Sequence, residues 1–578
     1  MPNASAAAAL QTIARILTLQ EENPFKIRAY ERVAQALESH AEEIEAMYER
    51  GGVKALRGVP GVGEDIALKL EEFITTGKIE YLEKKRKEIP AGLFEVMEIP
   101  GMGPKKTAFL WKTFKVKGIP DVEKLIADGK LDGLPKWGDK SIENLKRGIE
   151  VRKSHSGRFR RDVALTEAER ILGVLRRVKG CERAEYAGSL RRGREMVGDI
   201  DILACGKDSE ALVEAFLSVD GIADQLARGD TRAAIRLESG LQADLRVVPA
   251  ESFGAAWHYF TGSKEHNVRL RQMGQDLGLT INEYGVHKGT AEKKGKLLAS
   301  KTEEDIYAAV GLPWIAPTLR ENRGEFDAVA KGGLPELVEA EDLRGDLHMH
   351  STFSDGSASM ADMARAAKDS GLEYIAITDH ASPMGMVGGI KEGNIDEYLE
   401  LVEKARKAVP GIRIFAGAEV DILPDGSLYL PDKVLKKLDW VNASIHANFN
   451  LDKATQTKRF LKAIRNKHVC CIAHPTTRMV AERDGIEADW DAVFDAARES
   501  GVAMEMNASV RRLDMNDLLA KRAHDKGVTL TMGSDAHAVS GLSKVHGIAQ
   551  AQRAWLKKKD ILTCLPLAKL EVWMHKRR

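Results

Sequence analysis

Leu347-His348-Met349-His350 is a short apolar run that ends in two imidazoles, and the pattern recurs down the chain. It returns as Ile375-Ala376-Ile377-Thr378-Asp379-His380, Ala416-Gly417-Ala418-Glu419, Ala443-Ser444-Ile445-His446, Cys471-Ile472-Ala473-His474 and Gly533-Ser534-Asp535-Ala536-His537. Chance does not place 6 of 15 histidines at the same point of successive strand-like segments. Val502-Ala503-Met504-Glu505-Met506-Asn507 adds a seventh strand candidate, and helical stretches such as Met360 to Ser370 and Tyr398 to Val409 separate the runs. Strands alternating with helices predict a parallel barrel of seven or eight strands whose C-terminal strand ends form one pocket. Nine candidate ligands converge there: His348, His350, Asp355, His380, Glu419, His446, His474, Asp535 and His537. His348 and His350 are alternate residues, so both point to one face, and Asp535 with His537 repeats the geometry. Imidazoles mixed with carboxylates suit zinc, manganese or iron, and several such ions lower the pKa of bound water enough to make hydroxide near neutral pH. Arg478, Arg511 and Arg512 follow strand ends and are candidates to meet a phosphate there.

Upstream of the barrel, the charged and glycine-containing stretch 320–342 is expected to be a linker. Before it the texture is mixed α+β. Thr166 and Glu169 have the spacing of a capping box and predict a helix start. Strand-like runs follow at Asp199 to Ala204 and Leu241 to Pro249. In Gly198-Asp199-Ile200-Asp201-Ile202-Leu203 the two aspartates are two apart on a strand and share one face, while Ile200 and Ile202 face a core. Asp244 sits in the second run. Three carboxylates on adjacent strands hold two divalent cations that activate an attacking oxygen and stabilise a leaving one. Ser189 and Arg192, in Gly188-Ser189-Leu190-Arg191-Arg192-Gly193, supply a hydroxyl and a guanidinium for triphosphate oxygens. The chemistry these groups fit is nucleotidyl transfer.

The first 150 residues have helical periodicity broken by Gly and Pro. Two breaks nearly repeat: Val59-Pro60-Gly61-Val62-Gly63 and Ile99-Pro100-Gly101-Met102-Gly103. Each opens a helix with consecutive N–H groups able to receive a phosphate oxygen. They resemble helix-hairpin-helix DNA-binding motifs, and contact to the nucleic-acid backbone alone is insensitive to sequence and weakened by salt. A third, degenerate copy at Leu134-Pro135-Lys136-Trp137-Gly138 has Trp137 for the first glycine and is not expected to hold phosphate. The net charge of +1 is unevenly spread: residues 101–200 carry 24 Lys+Arg against 14 Asp+Glu, whereas residues 1–100 carry 13 against 17. A polyanion-binding surface in the first third follows. Five cysteines without Cys-x-x-Cys spacing and the lack of a membrane-length apolar run predict a soluble, reduced, cytoplasmic protein.

Gly188-Ser189 with the Asp199/Asp201 pair resembles the polymerase beta nucleotidyltransferase superfamily. Tyr259-Phe260-Thr261-Gly262-Ser263 with Thr280-Ile281-Asn282-Glu283-Tyr284 is similar to the nucleotide-selection region of family X DNA polymerases. With the barrel, the whole chain resembles bacterial family X polymerases that carry a C-terminal PHP (polymerase and histidinol phosphatase) domain. The resemblance implies a multidomain fold: a helical region at 1–90 and a second at 91–155, each with one hairpin, then an α+β palm at 156–250. A nucleotide-selection subdomain at 251–319, the linker, and a distorted seven-stranded PHP α/β barrel at 343–578 complete it. Asp199, Asp201 and Asp244 would be catalytic and hold Mg or Mn. Ser189, Arg192, Tyr259, Phe260, Gly262, Asn267 and Arg271 would bind the dNTP, with Tyr259 and Phe260 flanking the sugar and Asn267 and Arg271 facing the minor groove. Gly61, Gly63, Gly101, Gly103 and Lys105 would hold DNA.

In the barrel the resemblance implies three ions: one on His348, His350, Glu419 and Asp535, a second on His446 and His474 with Glu419 bridging, and a third on Asp355, His380 and His537. Gln242 and Lys264 depart from the animal pattern, which has arginine and aspartate there. Lys69 falls at the Schiff-base lysine of family X lyases, but Asp65 replaces a neighbouring lysine of that pattern. The implied protein is a monomer that fills short gaps during base excision repair on non-specific primer-template DNA, while the barrel trims or cleans 3′ ends. The alternative is a DNA-tethered phosphoesterase whose nucleotidyltransferase domain only binds DNA.

Overall fold

The computed structural model describes residues 3–38, 44–97, 99, 102–134, 137–138, 141–143, 145–146, 149, 157–290, 293–383 and 388–577. The N-terminal helices, from Asn3–Leu19 to Ile119–Ala127, gather their apolar stripes into one core that runs from Ala6 to Ile149. The helix Asn3–Leu19 packs on both Pro24–Glu38 and Gly103–Phe114, so the two hairpins share a core across the expected boundary at residue 90.

The palm is a five-stranded sheet in the spatial order 181–186, 199–206, 242–247, 232–237, 222–229. Asp199–Gly206 and Gln242–Val247 run parallel at its centre, with Asp201 paired to Asp244. Ile200 and Ile202 are buried beneath them, as the alternation requires. The helix Arg161–Leu175 starts five residues before the expected cap. Thr166 lies inside it and its hydroxyl donates to Asp162 O, the back-bond a mid-helix threonine makes. The next unit combines helices Phe253–Thr261 and Lys264–Asp276 with an antiparallel sheet of three strands, Leu279–Asn282, Gly285–Gly289 and Lys294–Ala299.

Part of the stretch expected as a linker is packed rather than free. Arg320 is fully buried and donates to Glu303 Oε1 at 2.6 Å, and buried Glu325 accepts from His266 Nδ1 at 2.7 Å. A buried charge is tolerated only when paired, and these two residues belong to an internal network within a stretch that is otherwise mostly exposed or half-buried.

The barrel has seven parallel strands in sequence order: Gly345–Met349, Tyr374–Ile377, Arg413–Asp421, Trp440–Ser444, Cys471–Ile472, Ala503–Asn507 and Leu530–Gly533. A two-residue strand, His380–Ala381, joins the third beyond the end of the second. Asp535 N donates to His348 O and His350 N to Ala536 O, which brings the last strand's exit back to the first and nearly closes the ring. At the opposite end, Leu347, Tyr374, Phe415 and Trp440 pack on Leu570 and Met574 of the C-terminal helix Leu567–Arg577. That plug leaves the strands' C-terminal ends as the open face. All five cysteines are free thiols, and among the described residues no helix is long and apolar enough to cross a membrane.

Candidate active sites

All nine side chains expected from the strand ends meet in the barrel mouth. Glu419, fully buried, stands at the centre. Its Oε1 is 2.6 Å from His474 Nε2 and 3.2 Å from His446 Nε2, and its Oε2 is 2.9 Å from His380 Nδ1, 3.5 Å from His348 Nε2 and 3.6 Å from His350 Nε2. Asp535 Oδ1 lies 3.2 Å from His350 Nε2, and Asp355 joins His380 at 3.5 Å and His537 at 3.4 Å. Four groups have donor atoms within 4.8 Å of one another: His350, Asp355, His380 and His537; His348, Glu419 and His474; His348, His350 and Asp535; and His380, Glu419 and His446. The first adds His350 to the trio expected for a third ion.

The donor set fits cations. Among the described residues His348 Nε2, His350 Nδ1 and His474 Nδ1 are buried without a hydrogen-bond partner, a cost that coordination removes. Burial and the neighbouring His537 and His380 imidazoles push His350 down to about 3, and burial with Arg512 takes His474 to about 4. Burial opposes charge on His446 too, but Glu419 and Asp421 outweigh it and hold that ring at about 9. His350 and His474 are thus neutral and ready to coordinate, whereas a cation at His446 displaces a proton.

Sequence reasoning missed the residues that orient the ligands. Glu505, in the one strand without an expected ligand, accepts from His348 Nδ1 at 2.7 Å and from the backbone N of His474 at 2.6 Å. The second bond steadies His474 at a φ of 28°. Gly533 makes room, since a Cβ there would stand 2.4 Å from Glu505 Oε1. Asp421 fixes His446 through Nδ1 at 2.7 Å, and Asn507 donates to Asp535 Oδ2 at 3.1 Å. The available signal was alternation: Glu505 and Asn507 are two apart, as His348 and His350 are. Glu505→Gln should weaken metal retention ~10- to 100-fold, as outer carboxylates that orient metal-bound histidines do, read by titrating the apoprotein with Mn²⁺ or Zn²⁺. Unchanged affinity would refute that role.

Of the arginines expected near phosphate, Arg512 is at the site, 3.1 Å from Asp535 Oδ2. Arg478 instead pairs with Glu195 of the palm and Arg511 with Glu482. Arg478 is largely buried in its pair, a partner choice that proximity in sequence to a strand end does not reveal, whereas the Arg511 pair lies on the surface.

In the palm, a cavity of about 380 Å³ is bordered by Ser189, Arg192, Asp199, Asp201, Tyr259, Phe260, Gly262, Lys264, Asn267 and Arg271. Asp244 sits beside Asp201 on the neighbouring strand and accepts from Gln242 Nε2 at 2.8 Å. Gly188, with φ of 60°, lets the helix Gly188–Arg191 start against Asp201: a Cβ there would lie 2.1 Å from Asp201 Oδ2. Asn267 donates to Tyr259 O at 2.7 Å, and its buried Oδ1 has no partner among the described residues. Burial, with the charges of Asp199 and Asp244, pushes Asp201 up to about 7. A divalent cation needs the ionised form, so protons compete below that value. The Mg²⁺ concentration for half-maximal primer extension should fall as pH rises from about 6 to about 8. Flat Mg²⁺ titrations over that window would contradict it.

At the first hairpin Gly61 and Gly63 are exposed, Gly61 in the left-handed region and Gly63 capping the helix Glu64–Thr76. In the second, Gly103 has φ of 58° and Lys105 is exposed, while Gly101 lies outside the described residues. Trp137 of the degenerate copy is buried against Phe109 with Lys106 over its ring, a packing role. Lys69 is paired to Asp65 at 2.6 Å.

Three family models match the chain: helix-hairpin-helix domain at residues 1–79, DNA polymerase beta thumb at 256–321, and PHP domain at 346–509. The chain is 35% identical over 570 residues, 98% of each chain, to the DNA polymerase/3′-5′ exonuclease PolX of Bacillus subtilis (strain 168). Over shorter spans it is similar to proteins named probable phosphatases. One, from Thermoanaerobacter sp. (strain X514), is 35% identical over 205 residues, 33% of this chain and 78% of that one. Another, from Caldicellulosiruptor saccharolyticus, is 32% identical over 214 residues, 35% of this chain and 83% of that one.

Proposed function

Because the chain belongs to the bacterial family X DNA polymerases that carry a PHP domain, we propose that it extends DNA 3′ ends at Asp199, Asp201 and Asp244 and removes 3′ nucleotides in the barrel. The observation that carries the reading is the palm pocket, where Asp199 and Asp201, on a strand paired with that of Asp244, line one cavity with the hydroxyl, guanidinium and aromatic groups that a dNTP requires. Bound Mg²⁺ or Mn²⁺ would supply charge neutralisation at the α-phosphate and the leaving pyrophosphate. Asp199 and Asp201 would hold the divalent charge and Asp244 would complete the set. Ser189 and Arg192 orient the triphosphate, Tyr259 and Phe260 border the sugar, and Asn267 with Arg271 offers hydrogen bonds to the nascent pair.

In the barrel, Zn, Mn or Fe ions, three in all, would supply a hydroxide nucleophile and an electrophilic clamp. His348, His350, Asp355, His380, Glu419, His446, His474, Asp535 and His537 would hold them, and Arg512 is placed to steady the scissile phosphate. Gly61, Gly63, Gly101, Gly103 and Lys105 would grip the DNA backbone without reading sequence. Between these units the chain works as a monomer on short gaps left in base excision repair, in the cytoplasm. The test is a gapped, end-labelled duplex incubated with Mg²⁺ or Mn²⁺, with and without dNTPs. Extension with dNTPs and 3′ shortening without them are expected. A chain that trims but never extends would favour the DNA-tethered phosphoesterase instead.

A further inference from the structure

The barrel reaches into the polymerase pocket. Arg192, 14% exposed, donates through Nη1 to Thr261 O at 2.5 Å and through Nε to Glu321 Oε1 at 3.1 Å. The same Glu321 oxygen accepts at 2.8 Å from Nη1 of Arg553, which ends the barrel helix Val545–Arg553. Arg553 is 3% exposed, and the same Nη1 also donates to the backbone O of Arg192 at 2.9 Å. Its Nε and Nη2 hold Asp517 Oδ2 at 3.0 and 2.9 Å, an anchor within the barrel. One turn earlier, Gln550 donates to Gly193 O at 3.0 Å. Gly193 adopts φ of 71°, and a Cβ there would stand 3.1 Å from Ala549 Cβ, so the loop after Arg192 is fitted to this helix.

Two guanidinium groups from different domains thus share one carboxylate oxygen, with Arg194 at 3.5 Å from the other. In a site this dry a carboxylate shared among cations neutralises each only in part. Arg192 keeps positive charge to offer to the pocket it borders. Without Arg553, Glu321 falls to Arg192 and Arg194 and competes more strongly with an incoming phosphate.

We propose that Arg553 of the barrel is a positioning residue of the polymerase: by dividing Glu321 with Arg192 it sets the affinity of the palm for the incoming dNTP. This rests on the assignment of Arg192 to the nucleotide. It makes docking of the barrel part of the nucleotide site, so that the two activities of the chain are joined by a charge relay as well as by the backbone.

Steady-state extension of gapped DNA by the full chain tests it. Arg553→Gln should raise the KM for dNTP ~5- to 10-fold with kcat changed less than about twofold, the size of one partly buried charge interaction. Glu321→Gln should lower that KM, Arg553→Lys should recover most of the loss, and the double variant should lie nearer the wild type than Arg553→Gln does. Exonuclease activity within about twofold of wild type reports an intact barrel in each. A KM unmoved in Arg553→Gln, or a fall in kcat alone, overturns the proposal. If Arg553→Gln does not fold, Glu321→Gln decides, and an unmoved or raised KM there overturns it. Arg192→Ala separates the premise: a shifted KM in Arg192→Ala beside an unmoved one in Arg553→Gln defeats the proposal alone, whereas an unmoved KM in Arg192→Ala defeats the nucleotide assignment.

Discussion

Asp199→Asn should lower gap filling by ~10³-fold or more, about 4 kcal/mol of transition-state stabilisation, while 3′ trimming by the same molecules stays within about twofold. Asp199 and Asp201 share one face of their strand, and the pocket they border is the only surface of the palm where Ser189, Arg192 and Asn267 also converge among the described residues. Asparagine keeps the shape and removes the charge. Because Asp199 is exposed at the lip of the pocket, the change leaves no cavity and no buried unpaired group. Loss of activity would therefore report lost cation binding rather than a damaged fold, and the surviving exonuclease provides the internal control. Extension by Asp199→Asn within about tenfold of wild type would remove the palm from the polymerase assignment.

What the sequence made legible is what lies at one register of one element. Alternation alone brought His348 to His350 and Asp199 to Asp201, and strand-end placement brought the remaining barrel ligands to one mouth. Residues whose role depends on a partner far along the chain were not legible. Glu505 orients His348 across 157 positions, and Arg553 meets Glu321 across 232. Their local patterns look like those of any strand glutamate or helix-end arginine. Arg320 and Glu325 show the same effect in reverse: two charged residues in a run that is polar by composition are buried, because Glu303 pairs with Arg320 and His266 hydrogen-bonds Glu325 from other elements. Thr166 and Glu169 matched a capping pattern, but the bond Arg161 N makes to Glu195 O starts the helix earlier, and tertiary contact overrode the local signal.

Glu419→Gln should abolish 3′ trimming, by ~10³-fold or more, and empty the barrel of most of its metal, while gap filling stays within about twofold. Glu419 is the side chain on which the site closes: its two oxygens lie between 2.6 and 3.6 Å from five imidazoles that come from four other strand ends. Glu419 is the carboxylate that belongs to two of the ligand groups, and its charge would offset that of cations held in a fully buried place. The amide that replaces it fills the same volume, carries no charge and donates protons toward the donor atoms where cations would sit. Affinity for divalent ions should collapse at more than one position, whereas loss of a peripheral ligand such as His537, 40% exposed, should cost a single ion. Metal content measured on protein purified without chelator, beside trimming and extension rates on one gapped duplex, distinguishes the two cases. Trimming by Glu419→Gln at near wild-type rate with full metal content would show that the imidazoles alone build the site and that the bridging role belongs elsewhere.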